Sequence, residues 1–236
     1  LLSFIKKEFP QFYQYKGRKI SKKLSKLEKN LLDNFYDYYS IDQEIIEFHN
    51  NNIKKKQLTF TDKIFNKVNI EVGFGNGEYL IKSALENPNE LFIGSEVYIN
   101  GISKVLKKII NFKIRNIKLS NLNFIYLLES IYPQSINKVI IINPDPWLKK
   151  RHQKRRLLSF HTLKLLKTII INKDSVFITT DSESYIKYIF NIFETNKSKI
   201  GKIQIKTLTN SDSLYGVSRY QRKAIKNGSK IYLLTI

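Results

Sequence analysis

The sequence predicts an α/β fold: a mostly parallel seven-stranded sheet with helices on both faces and an antiparallel pair at its C-terminal edge. Three observations carry this reading. From about residue 66, apolar runs of strand length alternate with segments of helical apolar spacing. The first run breaks into Gly73-Phe74-Gly75-Asn76-Gly77, a strand-to-helix turn. The last two strand-like segments have no helical pattern between them, so they are expected to pair as neighbours.

Val68 to Val72, apolar at 68, 70 and 72, reads as a buried strand, and Tyr79 to Leu85 then takes helical spacing until Asn87-Pro88 ends it. Leu91 to Val97 reads as the second strand. The helix expected at Ile99 to Phe112 places Ile102, Val105, Leu106, Ile109 and Ile110 on one face. A short strand near Asn116 to Leu119 and a helix near Phe124 to Ile131 precede the strongly apolar strand Lys138 to Ile142. Leu157 to Ile171 is expected to be helical, Ser175 to Thr180 a strand, and Tyr185 to Phe193 helical again. Gly201 to Thr209 alternates in period two, and Lys230 to Ile236 closes the sheet. Residues 57–236 thus form one domain. Residues 1–56 read as a basic arm with the aromatics Phe12, Tyr13, Tyr15, Phe35, Tyr36, Tyr38 and Tyr39, available to dock on the domain or to stack on RNA bases.

Composition narrows the partners. Lys and Arg number 41 against 20 acids, a net charge of +21, which suits a polyanion, although an A/T-rich genome also inflates lysine. With no cysteine, thiolate chemistry and disulfides are excluded. Only His49, His152 and His161 are present, not in ligand spacing, so no metal site is expected. No apolar run is long enough to span a bilayer, and Lys6, Lys7 and Glu8 interrupt any signal-like start, so a cytoplasmic location is expected. There is no methionine even at position 1, so at least the first residue is expected to be missing from the numbering.

The glycines at 73, 75 and 77 allow a ligand to approach the backbone at a helix N-terminus. Glu96 ends the second strand, where a carboxylate can accept both ribose hydroxyls of a nucleoside. Glu71 lies inside the first strand, a costly place for an unpartnered charge. Acids at 71, 78 and 96 around one turn favour a cationic cofactor, S-adenosylmethionine, over an anionic dinucleotide.

On the substrate side, Asn143-Pro144-Asp145-Pro146-Trp147 ends the fourth strand, and its prolines restrict the backbone around Asp145. Lys149 to Arg156 follows with six fixed positive charges in eight positions, a repulsive arrangement that phosphates would relieve. Asp181 ends the fifth strand at the same rim. Ser218-Arg219-Tyr220-Gln221-Arg222 is expected in a polar loop before the last strand.

At these positions the chain resembles the bacterial tRNA (guanine-N7)-methyltransferase family. The resemblance runs from Glu71 to the C-terminus; its most specific part is Pro144-Asp145-Pro146-Trp147-x-Lys149-Lys150-Arg151-His152-x-Lys154-Arg155-Arg156. It implies a Rossmann-like class I methyltransferase fold and an enzyme that moves a methyl group from S-adenosylmethionine to N7 of a guanosine in the variable loop of tRNA. By position it implies cofactor contacts from Glu71, Gly73, Gly75, Gly77, Glu96, Asn123 and Asp145, with Asp145 also catalytic. Lys149, Asp181, Ser218, Arg219, Tyr220 and Gln221 would bind the target nucleotide, and Arg151, His152, Gln153, Lys154, Arg155 and Arg156 the RNA. Two departures stand out: Asn123 where the family has Asp, and Ser218-Arg219-Tyr220-Gln221 where it has Thr-x-Tyr-Glu. The sequence also leaves room for methylation of an exocyclic amino group, whose enzymes carry an Asp/Asn-Pro-Pro-aromatic turn, and for a non-catalytic RNA-binding relic. A monomer and a homodimer are both compatible with it.

Overall fold

Lys67–Val72 forms β1, buried from its second residue onward, and everything else is laid out around it. The computed structural model describes residues 19–51, 57–60, 64–196 and 200–236. Phe12, Tyr13 and Tyr15 of the expected arm lie outside these residues. After β1 come α3 (Glu78–Glu86), β2 (Glu90–Ser95), α4 (Ile99–Asn111), β3 (Ile117–Ser120) and α5 (Phe124–Ser130). Two helices, α1 (Lys26–Tyr39) and α2 (Asp42–Asn50), precede them. Then follow β4 (Lys138–Ile142), a 3-10 helix (Lys150–Arg155), α6 (Phe160–Ile169), β5 (Val176–Thr180), α7 (Glu183–Thr195), β6 (Gln204–Thr207), α8 (Arg219–Lys226) and β7 (Tyr232–Thr235).

The seven strands lie in the order β3-β2-β1-β4-β5-β7-β6. All pairings are parallel except those of β7, which runs antiparallel to β5 and β6. Period two along each strand divides the core between the two faces. Val68, Ile70, Leu91, Ile93, Val139, Ile141, Val176 and Ile178 pack on one side with Ile45, Leu127, Leu163 and Ile189 of the covering helices. Phe92, Ile117 and Leu119 face the other side, against Tyr36, Leu80, Ile102 and Val105. Ile140 and Leu233 extend that second face under α8. Each fully buried aliphatic side chain contributes roughly 1.5–3 kcal/mol.

The expected seven-strand sheet with an antiparallel C-terminal edge is what forms, but one expectation is corrected. A helix does separate the closing strands: Ser218 accepts a hydrogen bond from the Gln221 N–H and caps α8, so Arg219 to Arg222 are helical and not a loop. All four residues of β6 are exposed, so the period-two pattern there does not mark a buried face.

The α1–α2 pair is tied to the sheet by one carboxylate. Asp42 is fully buried and accepts from Tyr36 Oη (2.6 Å), Ser120 Oγ (2.6 Å) and the Asn121 N–H (3.2 Å). Burial pushes its pKa up, and the bonds from Ser120 and Tyr36 oppose that rise. Asn121 in turn donates to the Glu96 carbonyl at 2.9 Å, so this anchor reaches the end of β2.

Candidate active site

The strand order reverses between β1 and β4, and open α/β sheets bind ligands beyond the carboxyl ends of strands at such a switch point. The turn after β1 is built for close approach. Gly77 has φ of +67°, and a Cβ there would collide with the Val105 side chain of α4. A Cβ on Gly101 would strike the Gly75 carbonyl, so the turn and α4 lie backbone against helix. Above Gly73 and Gly75, by contrast, no atom lies within 4 Å of where a side chain would begin. That open cradle leaves room for a ligand against the backbone.

Two carboxylates face it from the strand ends. Glu96 holds the turn: Oε2 accepts from the Gly75 N–H (2.7 Å), and Oε1 accepts from the N–H groups of Val97 (2.8 Å) and Tyr98 (2.9 Å). Glu71 is 4% exposed, and its Oε2 has no hydrogen-bond partner. Burial, with the Glu96 charge beside it, pushes the Glu71 pKa up to about 8. Burial also raises that of Glu96, partly offset by its backbone donors and reinforced by the Asp145 charge. Asp145 stands exposed at the mouth, and partial burial raises its pKa as well. Glu71, Glu96 and Asp145 therefore form one electrostatically linked group, and none of the three pairs with a cation among the described residues. An orphaned buried carboxylate oxygen beside an open glycine cradle fits a ligand carrying a positive charge or hydrogen-bond donors. Glu78, counted with these acids in the sequence, is already neutralised: it accepts from the Arg219 N–H at 2.7 Å and from Arg222 Nη2 at 2.9 Å. It latches α8 to the N-terminus of α3.

The Asp145 loop is bound at both ends. Asn143 and Trp147 adopt φ of +46° and +42°, a conformation side chains rarely take. Asn143 donates from Nδ2 to Asp181 Oδ1 (3.0 Å) and accepts from Thr179 Oγ1 (3.0 Å). Thr179 accepts in turn from Gln221 Nε2 at 2.9 Å. At the other end Arg156 donates from Nε to the Pro146 carbonyl at 2.8 Å.

The expected site residues thus fall into three groups. Glu71, Gly73, Gly75, Glu96 and Asp145 converge on the cradle; Gly77 shapes the turn from behind it. Asn123 lies on the same edge of the sheet, where it caps α5 by accepting from the Ile125 N–H at 3.2 Å. Lys149, Lys150, Arg151, Lys154 and Arg155 are exposed along the 3-10 helix beside Asp145, with His152 and Gln153 half-buried among them. Arg155 lies 5.1 Å from the centre of the Trp147 ring, and His152 meets its edge at 5.7 Å. One face of the sole tryptophan is thus occupied by a cation. Partial desolvation, then the Arg155, Arg151 and Lys149 charges, hold the His152 pKa below the usual imidazole value.

Among the remaining residues, Gln221 and Arg156 differ from expectation. Tyr220 is 77% exposed and Arg219 is exposed, but Gln221 is fully buried, its Oε1 accepting from the Val217 N–H at 3.2 Å. Its amide serves the contact between α8 and β5. Arg156, expected among the RNA contacts, is 8% exposed and stacked on two tyrosines. Sequence reading missed Thr179 and the role of Asn143; the Asn before Pro144 and the Thr-Thr-Asp end of β5 were the available signals. No helix among the described residues is long and apolar enough to cross a membrane, and none of their His, Asp or Glu side chains cluster as a metal would require.

A family model described as "Putative methyltransferase" matches residues 65–234. "Bifunctional methyltransferase" proteins of Rickettsia bellii and Rickettsia conorii are 31% and 34% identical over 84% and 89% of this chain. The chain spans only 40% and 37% of their lengths. A "tRNA (guanine-N(7)-)-methyltransferase" of Buchnera aphidicola is 28% identical over 96% of the chain and 90% of its own length. Among solved structures, the 16S rRNA methyltransferase KamB superposes with a TM-score of 0.53 at 15% identity, over 78% of this chain and 97% of its own, a likeness of fold.

Proposed function

The chain belongs to the methyltransferase family whose model covers residues 65–234, and on that premise we propose that it transfers a methyl group from S-adenosylmethionine to N7 of a guanosine in the variable loop of tRNA. The observation that carries this reading is the pairing of a cation-free acidic cradle with an exposed row of cations on either side of Asp145. The Buchnera relative, similar over nearly the whole chain, supports the choice of tRNA and N7.

S-adenosylmethionine supplies an activated methyl group on a sulfonium. Glu71, with its unpartnered oxygen, would take the amino group of the methionine portion, and Glu96 would take the ribose hydroxyls. Glu96 would have to share or exchange its backbone donors to do so. Asn123 would face the adenine, as amide where a carboxylate is usual.

Guanine N7 carries a lone pair and no proton, so the chain needs no general base. Its task is to hold nucleophile and methyl carbon in line and to stabilise positive charge as it passes toward the purine. Asp145 stands at the mouth with a carboxylate beside that path, on a loop fixed at both ends. Lys149, Arg151, Lys154 and Arg155 would neutralise phosphates flanking the target nucleotide, and Asp181 and the exposed Tyr220 would border it.

The test is transfer of labelled methyl to unmodified tRNA, followed by borohydride and aniline cleavage. Scission at a variable-loop guanosine is expected. Label on an exocyclic nitrogen, or no transfer, would overturn the proposal.

A further inference from the structure

In the sequence, Arg156 is the last of six cations in an eight-residue run and looks like its neighbours. In the structure it is unlike them. Lys150, Arg151, Lys154 and Arg155 are exposed, whereas Arg156 is 8% exposed at the turn where the 3-10 helix gives way to α6. Its guanidinium carbon lies 4.4 Å from the centre of the Tyr188 ring and 5.4 Å from that of Tyr185, two side chains one turn apart on α7. No carboxylate pairs with it among the described residues. A buried cation without a counter-ion is costly, and among the described residues two π faces and one carbonyl offset that cost.

The carbonyl is the informative partner. Arg156 Nε donates to Pro146 O at 2.8 Å, between Asp145 and Trp147. Trp147 adopts φ of +42°, a backbone state that costs of order 1–3 kcal/mol and persists only when its surroundings enforce it. The Asn143 end of the loop has its own enforcement from Thr179 and Asp181. At the Trp147 end the bond from Arg156 performs that task, and its platform is close enough for the Asp145 charge to act on Tyr185.

We propose that Arg156 is a positioning residue: stacked on Tyr188 and Tyr185, it pins the Pro146 carbonyl and thereby sets the direction of Asp145, and it does not contact phosphate. The kinetic part of this proposal rests on the methyl-transfer reading above; the conformational part does not. Lysine cannot replace it, because an ammonium lacks both the Nε–H at that place and a flat face for the rings.

Trp147 is the sole tryptophan, so its fluorescence reports this loop in the free protein. The experiment compares wild type, Arg156→Lys, Tyr188→Leu and Arg155→Ala by acrylamide quenching, by single-turnover methylation with saturating tRNA, and by tRNA binding against salt. Arg156→Lys is expected to raise the quenching constant about twofold and to slow turnover by about tenfold or more, since small misplacements cost rate steeply. Its salt slope for tRNA should stay as in wild type, whereas Arg155→Ala should lose about 0.9 in slope, one phosphate contact. Tyr188→Leu keeps the Arg156 bond but removes the platform, and should shift quenching and rate the same way by less. It also decides the matter if Arg156→Lys does not fold. Wild-type quenching in both variants, or a salt slope in Arg156→Lys reduced like that of Arg155→Ala, would overturn the proposal. If the wild type itself transferred no methyl group, the function reading would fall while the quenching data still judged the role of Arg156.

Discussion

On the β1–β2 side of the switch point, Glu71 is buried and Glu96 half-buried, neither paired with a cation among the described residues, next to a glycine turn held by backbone hydrogen bonds. On the β4 side, four cations of the 3-10 helix stand in solvent with no acid paired to them among the described residues. The two halves of one mouth thus hold ionisable groups of opposite sign that do not pair with each other, and the proton retained by Glu71 keeps part of the inner charge latent. In a structure free of constraint they would neutralise each other. They do not, because each is fixed to a different strand end and turned to a different space. Such a separation costs stability and makes sense where each half is completed by a ligand of opposite sign, a cationic one inside and a polyanionic one outside.

Asp145 sits where the halves meet, so the largest effect is expected there. Asp145→Asn should lower the single-turnover rate by about 100-fold or more, the scale for losing one preorganised electrostatic group, with tRNA affinity changed by less than about twofold. Rates and tRNA binding measured on the same preparation decide it. Equal losses in both would make Asp145 a binding group and dissolve the boundary.

Glu71→Gln addresses the inner half alone. Removing a buried charge-assisted acceptor should weaken S-adenosylmethionine by about tenfold to 100-fold, read by calorimetry, with tRNA affinity unaltered. The same residue gives a pH signature. Its folded pKa, about 8, lies above the unfolded value, so the folded protein holds an extra proton between about pH 4.5 and 8. Stability from this group is full below that window and is lost as pH rises through it, by at most about 1.4 kcal/mol per pH unit. Melting temperatures of the ligand-free protein should therefore fall across the window, and less so in Glu71→Gln. Identical slopes in the two proteins would remove Glu71 as the cause.

Arg155→Ala addresses the outer half. One phosphate contact fewer should weaken tRNA binding several-fold at low salt and lower the log–log salt slope by about 0.9, leaving cofactor affinity intact. An unchanged slope would mean that the exposed cations are a solvated surface and no more.

The inner half was far more legible in the sequence than the outer. Val139 to Ile142 is a contiguous apolar run of the kind a strand buried on both faces requires, Val68, Ile70 and Val72 mark the neighbouring strand, and the glycine turn lies between that strand and a helix by local rules alone. α8 was not legible, because Gln221 and Ala224 are its only buried residues and its remaining side chains carry no apolar stripe. β6 misled for a related reason: at a sheet edge all its residues face water, so alternation carried no information about burial. Arg156 and Arg155 are neighbours of one charge type, and what separates them is a pair of tyrosines some thirty residues away. Tyr185 and Tyr188, spaced to share one helix face, were the only local hint of a platform. Adjacent residues take opposite roles when their environment comes from distant chain.

Glu78 offers the finest cut through the comparison. By position it belongs with the acids of the inner half, one residue after Gly77 and at the start of α3. By partnership it belongs elsewhere, since Arg222 and the Arg219 N–H already take both its oxygens. If uncompensated charge is what recognises the cofactor, Glu78→Gln should change S-adenosylmethionine affinity by less than about threefold. What it should lose is the docking of α8, and with it up to about fivefold in apparent tRNA affinity, the most that a half-exposed pair of about 0–1 kcal/mol supports. Calorimetry with the cofactor and binding with tRNA separate these effects. A loss of cofactor affinity as large as that of Glu71→Gln would show that the glycine turn responds to the number of acids around it, and not to which of them lack a partner.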